Sequence, residues 1–157
     1  VTIRWVPYRI EAAGIEVDVV DGVPLDAELG PERGHVLQRA EDVEIGVWYG
    51  HDGTIDRWSR GLARTWPEAV LEPEERIHLA CGLPARRRVA HLPSESVEGG
   101  FRSADGSLEV RARSTPARET AAVAFVCDGV PVLASVSAAG ASFPLAQHVF
   151  GVLRPLR

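Results

Sequence analysis

The chain has 157 residues, 45% hydrophobic and 25% charged, enough for one domain with a sizeable core and ordinary for a globular protein. A net charge of −5 argues against general nucleic-acid binding, and no apolar run approaches the roughly 20 residues that a membrane span needs. The N-terminal VTIRWVPYRIEAAG lacks the basic, apolar and small-residue order of a secretory signal, so a cytoplasmic location is expected, with Cys81 and Cys127 as buried free thiols.

In chain order, 2–10 reads as a first strand with Ile3, Trp5 and Val6 inward. Residues 15–20 alternate Ile15, Val17 and Val19 against Glu16, Asp18 and Val20, the pattern of a half-buried strand. Residues 24–34 are turn-rich and acidic. A strand pair follows at 35–39 and 43–50, with Val43, Ile45, Val47 and Tyr49 on one face and Glu44, Gly46 and Trp48 on the other.

The spacing of Ile55, Trp58, Leu62, Ala63 and Trp66 predicts a helix over about 54–66. Asp52 or Thr54 caps it and Pro67 ends it, while Gly61 would let it approach a sheet closely. Residues 68–75 read as an acidic linker, 77–83 and 86–92 as strands, and 93–100 as a loop. Asp105-Gly106 then turns a hairpin between 101–104 and 108–113.

Asp128-Gly129 turns the last hairpin. A two-residue turn pairs Cys127 with Val130, Phe125 with Val132, Val123 with Ala134 and Ala121 with Val136, all on one apolar face. Pro131, with no N–H to donate, suggests a second strand near a sheet edge. Leu145, Val149, Val152, Leu153 and Leu156 predict a closing helix over about 143–154, packed on the Phe125/Val132 face. The sum is a single α+β domain over 1–157: a curved antiparallel β-sheet with an internal and a C-terminal helix packed on it.

The segments DGTIDRWSRGLARTW, SLEVRARS, ETAAVAFVCDGVPVLASVSAA and PLAQHVFGVLRPL, in this order, resemble the PsbP/DcrB-like fold, which includes the Eag-type chaperones of type VI secretion effectors. That resemblance implies a non-enzymatic binding or chaperone role. The stretch VVDGVPLDAEL departs from the family by having Pro24 but no following Trp, and no binding residue is carried over.

Nucleophile elbows, phosphate loops and zinc-helix motifs are absent, so no catalytic residue, metal ligand or cofactor is expected. His35, His51, His78, His91 and His148 are scattered. Arg86 and Arg88 share one strand face, as do Arg111 and Arg113; on neighbouring strands the four would converge on an anionic ligand or an acidic partner. The acidic 68–75 segment could instead cover this patch within the molecule. Residues 1–75 carry net −9 and 76–157 net +4, a polarity that suits oriented docking or self-association as a homodimer.

Trp48, on the face shared with Glu44, is expected to be exposed for contact. The leading expectation is therefore a non-catalytic protein-binding module, an adaptor or effector chaperone, contacting another protein through Trp48, Arg86, Arg88, Arg111 and Arg113. The alternative is small-ligand binding or catalysis in a pocket between sheet and helix, around Trp58, Tyr49 and His78.

Overall fold

The computed structural model describes residues 3–40, 42–102, 104–140 and 143–156; side chains at 95–102, 108–115 and 143 lie outside the description, as does the expected strand start at Thr2. The chain opens with β1 (Trp5–Ile10), β2 (Ile15–Val20), β3 (Asp26–Leu29), β4 (Gly34–Ala40) and β5 (Val43–Tyr49). Helix α1 (Ile55–Thr65) follows, then β6 (Val70–Leu71), β7 (Glu75–His78), β8 (Pro84–Leu92), β9 (Glu95–Arg102) and β10 (Leu108–Thr115). The chain ends with β11 (Arg118–Cys127), β12 (Val130–Ala139), α2 (Phe143–Gly151) and β13 (Arg154–Pro155). Every ladder among the described residues is antiparallel.

A large eight-stranded sheet runs β3-β4-β5-β12-β11-β8-β6, with β7 also on β8; β1-β2-β13 form a small sheet and β9-β10 a third. The fold is α+β, as the alternating patterns predict. The last hairpin has the register read from its turn: Cys127 faces Val130, Phe125 faces Val132 and Ala121 faces Val136. Asp128 and Gly129 both have positive φ (50° and 79°), the backbone of the turn that matches strand twist.

The two faces of the large sheet bury different things. Val36, Val47, Tyr49, Val123, Phe125, Val132 and Ala134 meet the small sheet's Ile10, Ile15, Val17 and Val19, with Leu153 beside them. Each fully buried Val or Ile there stabilises the fold by about 1.5–3 kcal/mol relative to exposure. Farther along the same face, Ile45, Ala121 and Val136 meet Ala146 and Val149 of α2. On the opposite face, Ile55 of α1 rests on Ala122 and Leu133.

Side chains join these layers. The Gln38 amide, 4% exposed, accepts from Val20 N (2.7 Å) and donates to Val20 O (2.8 Å) and Val23 O (3.0 Å), so a β4 side chain completes the end of β2. His148 on α2 contacts Asp18 on β2 at 2.9 Å and stacks on Trp5 with ring centroids 4.3 Å apart.

Several expectations are corrected. Strand β12 is central rather than at an edge: its ladder with β5 starts at Val132, so the missing N–H of Pro131 falls just outside it. Helix α2 stops at Gly151, because Pro155 disfavours helical geometry at Arg154, and Arg154–Pro155 pair with Glu16 and Ile15 instead. The helix covers the Ala121/Val136 end of the apolar face; the small sheet takes the Phe125/Val132 end.

The acidic 24–34 segment contains the exposed β3, the 68–75 linker contains β6, and the expected loop at 93–100 contains most of β9. Cys127 is buried as expected, but Cys81 is exposed in the turn between β7 and β8. The turn expected around Glu41 lies in part outside the described residues. No helix among the described residues is long and apolar enough to cross a membrane.

Candidate functional site: a tryptophan-lined cleft under helix α1

Helix α1 begins where Thr54 Oγ1 accepts a hydrogen bond from Arg57 N (3.3 Å), with Asp56 in the first turn. Its apolar side turns Ile55, Trp58, Leu62 and Trp66 toward the large sheet. The helix does not seal against that face, because β5, β12 and β11 present small and polar residues there: Gly46, Ser135, Ser137 and Thr120. A cleft of about 600 Å³ remains between helix and strands. Nothing within 4 Å would meet a Cβ on Gly61, so this glycine borders open space rather than a close helix–sheet contact.

Trp48 lines the cleft and is half-buried, not free on the surface as the sequence suggested. Its indole folds back along β5 over Gly46; a Cβ there would come within 2.4 Å of the ring. Gly46 therefore fixes where Trp48 can lie. Trp58 and Leu133 pack in the same apolar cluster, and Trp66 closes the lining from the helix end. Three of the chain's four tryptophans thus share one cleft.

The floor becomes polar along β12. Leu133 is followed on the same face by Ser135 and Ser137. Ser137 Oγ accepts from Thr120 Oγ1 (3.0 Å) and from Arg118 Nε (3.2 Å), and Arg118 Nη2 donates to Asp42 O (2.9 Å). Arg57 pairs with Asp52 at 2.8 Å, without the alignment of a hydrogen bond, and its Nη1 contacts His51 Nε2 at 3.0 Å. Glu44 is held by Arg39 at 2.9 Å.

The arginine run lies elsewhere and is already engaged. Arg86 binds Glu74 (2.6 Å), Arg87 binds Glu75 (2.7 Å), and Arg88 donates to Glu72 O (3.0 Å) and Ser59 Oγ (3.2 Å). The acidic segment before β8 covers the basic patch, one of the two arrangements the sequence left open. Arg111 and Arg113 lie on β10 opposite Gly99 and Val97, with side chains outside the description.

Strand β10 is not a neighbour of β8. Leu92 faces Arg118 and Glu95 faces Thr115, so both ladders share one register, interrupted where Pro93 and Pro116 lack an N–H. The Arg113 level is nine residues beyond the Arg88 level, about 30 Å of extended strand. The strand of Arg111 and Arg113 therefore pairs with β9 and not, as four converging arginines would need, with the strand of Arg86 and Arg88.

Of the residues expected around a pocket, Trp58 lines the cleft and Tyr49 does not. Tyr49 faces the other side, fully buried, where it donates to Gly30 O (2.5 Å); burial raises its pKa above the ordinary value. His78 lines a separate cleft of about 400 Å³ beside α2. Sequence reasoning missed Arg118, Thr120 and Ser137. Their signal was present as polar residues at every second position of two otherwise apolar strands. No group of three or more His, Cys, Asp or Glu among the described residues is placed to hold a metal ion.

No protein-family model matches the chain, and no curated protein matches it significantly. Among solved structures it is similar to cyanobacterial PsbP (CyanoP) from Synechocystis sp. PCC 6803, with 13% sequence identity and a TM-score of 0.59 over 96% of this chain and 92% of that one. The fold is therefore PsbP-like, and at this identity the likeness is one of fold alone.

Proposed function

We propose that this protein is a non-catalytic binding module, an adaptor or effector chaperone, that takes a segment of another protein in the cleft under α1. The observation that carries this reading is the cleft of about 600 Å³ lined by Trp48, Trp58 and Trp66. Tryptophan offers a large apolar surface with one polar N–H and is enriched among residues that dominate binding energy. The charged groups of the cleft support binding over catalysis: Asp52 is matched to Arg57 and Glu44 to Arg39, so both carboxylates serve ion pairs. In this reading Arg86 and Arg88 brace the acidic segment that borders α1, and Arg111 and Arg113 offer a separate contact on the β9–β10 hairpin. The protein works in the cytoplasm, where the exposed thiol of Cys81 stays reduced.

The test is capture of a defined partner by purified protein, repeated with Trp58→Ala and Arg88→Glu. Loss with Trp58→Ala supports the cleft; loss with Arg88→Glu alone overturns it in favour of the basic strand. The cleft volume also lies within the range of small-ligand sites, roughly 300–1,000 Å³. A small molecule that raises the melting temperature of the wild type but not of Trp58→Ala, with no protein partner captured, would establish that second reading.

A further inference from the structure

We infer that Arg118 and Ser135 make this cleft a receptor for a carboxylate: its occupant is an extended segment carrying an acidic side chain three or four residues from a bulky apolar one. This inference rests on the binding-module reading above and names the chemistry of the segment.

Two observations carry it. Arg118 is half-buried at the start of β11, and its guanidinium is oriented by Ser137 Oγ (3.2 Å) and Asp42 O (2.9 Å), both neutral acceptors. The other arginine of the cleft, Arg57, has Asp52 at 2.8 Å, whereas Arg118 has no carboxylate partner among the described residues. A fixed guanidinium with unused N–H groups suits a carboxylate better than any neutral group, because charge-assisted hydrogen bonds are about twice as strong. Glu44 and Asp52 also line the cleft, but Arg39 and Arg57 neutralise them, so the unmatched charge is positive.

The second observation is Ser135. It is only 5% exposed and lines the cleft, yet its hydroxyl has no hydrogen-bond partner among the described residues. The hydroxyl is not sealed in the core: among the described residues the buried side-chain oxygen without a hydrogen bond is Asp52 Oδ1, and the Ser135 hydroxyl opens into the cleft, where it can donate to an occupant. Ser135 lies between the apolar end, where Leu133 packs with Trp48 and Trp58, and the polar end at Ser137 and Arg118. From Leu133 to Ser137 is about 13 Å of strand, which an extended partner chain covers in three or four residues.

The probes are capped ten-residue peptides in a Gly/Ser background, each with one Phe and, four residues on, either Glu or Gln. A third peptide keeps Gln but ends in a free C-terminal carboxylate at that position. Tryptophan fluorescence reads binding to the wild type, Trp58→Ala, Arg118→Gln and Ser135→Ala, each checked for an unchanged melting transition. Arg118→Lys serves as a charge-retaining control should Arg118→Gln fail to fold.

The Glu peptide is expected to bind about tenfold or more tightly than the Gln peptide, the difference a charged hydrogen bond makes. Arg118→Gln should erase that preference while leaving the affinity for the Gln peptide unchanged, and Ser135→Ala should weaken the Glu peptide alone. Stronger binding of the free C-terminus than of the Glu side chain overturns the side-chain assignment in favour of a chain end. Equal binding of Glu and Gln peptides, still sensitive to Trp58→Ala, overturns the carboxylate assignment but leaves the binding module standing. Binding of no peptide overturns both.

Discussion

The two faces of the large sheet are made from alternate residues of the same strands, and they have opposite characters. Along β12, Val132, Ala134 and Val136 are fully buried against the small sheet and α2, while Leu133, Ser135 and Ser137 look toward α1 and the cleft. Along β5, Ile45, Val47 and Tyr49 join the apolar side; Glu44, Gly46 and Trp48 line or shape the other. Along β5 and β12 the first face is closed by β-branched and aliphatic side chains, and the cleft of about 400 Å³ on that side opens farther out, beside α2. The other stays partly open because small residues and hydroxyls leave volume beneath a helix that touches it chiefly through Ile55 and Trp58. The sheet thus separates a filled core from a partly open cleft with a period of two residues.

Truncating the closed face should do the most damage. Ile15→Ala, at a fully buried position, is expected to cost about 2–5 kcal/mol in denaturant unfolding. A cost near zero would show that the small sheet is not part of the cooperative core.

Gln38→Leu should come next. It leaves Val20 N and Val20 O without their partners, a loss of about 1–3 kcal/mol, and a neutral result would mean that the two sheets do not depend on this bridge.

Tyr49→Phe removes the bond to Gly30 O and should cost about 1 kcal/mol near neutral pH. It also has a pH signature. Burial raises the Tyr49 pKa, so the unfolded chain releases this proton before the folded protein does. The stability tied to the neutral phenol is present below the unfolded value near 10 and is lost as pH rises through the folded one. Wild type should therefore lose stability above pH 10 more steeply than Tyr49→Phe, as urea unfolding across that range will show. Identical slopes would contradict the burial.

The smallest effect is expected in the cleft. Leu62 is half-buried, and Leu62→Ala should cost about 1 kcal/mol or less while weakening whatever the cleft holds. A cost equal to that of Ile15→Ala would mean that both faces are core and would erase the contrast.

How much of this was legible can be seen at single residues. The register at Phe125 and Val132 followed from Asp128-Gly129, since a two-residue turn leaves one pairing. The span of α1 followed from Thr54, the Ile55–Trp66 spacing and Pro67. Trp48 could be assigned to the Glu44 face but not to a cleft, because the strand pattern does not reveal α1 above it. Arg88 was visible as charge, whereas its hydrogen bond to Ser59, twenty-nine residues away, was not.

The sequence by itself determined the local geometry: which residues alternate, where chains turn, and which side of each element is apolar. These depend on neighbours a few positions apart, through backbone sterics and side-chain period. Only the tertiary structure decided that β12 lies between β5 and β11, far apart in sequence, and so brought Trp48, Ser135, Arg118 and Trp58 to one cleft. That placement depends on how whole faces bury one another, and the hydrophobic effect that drives it rewards area without direction.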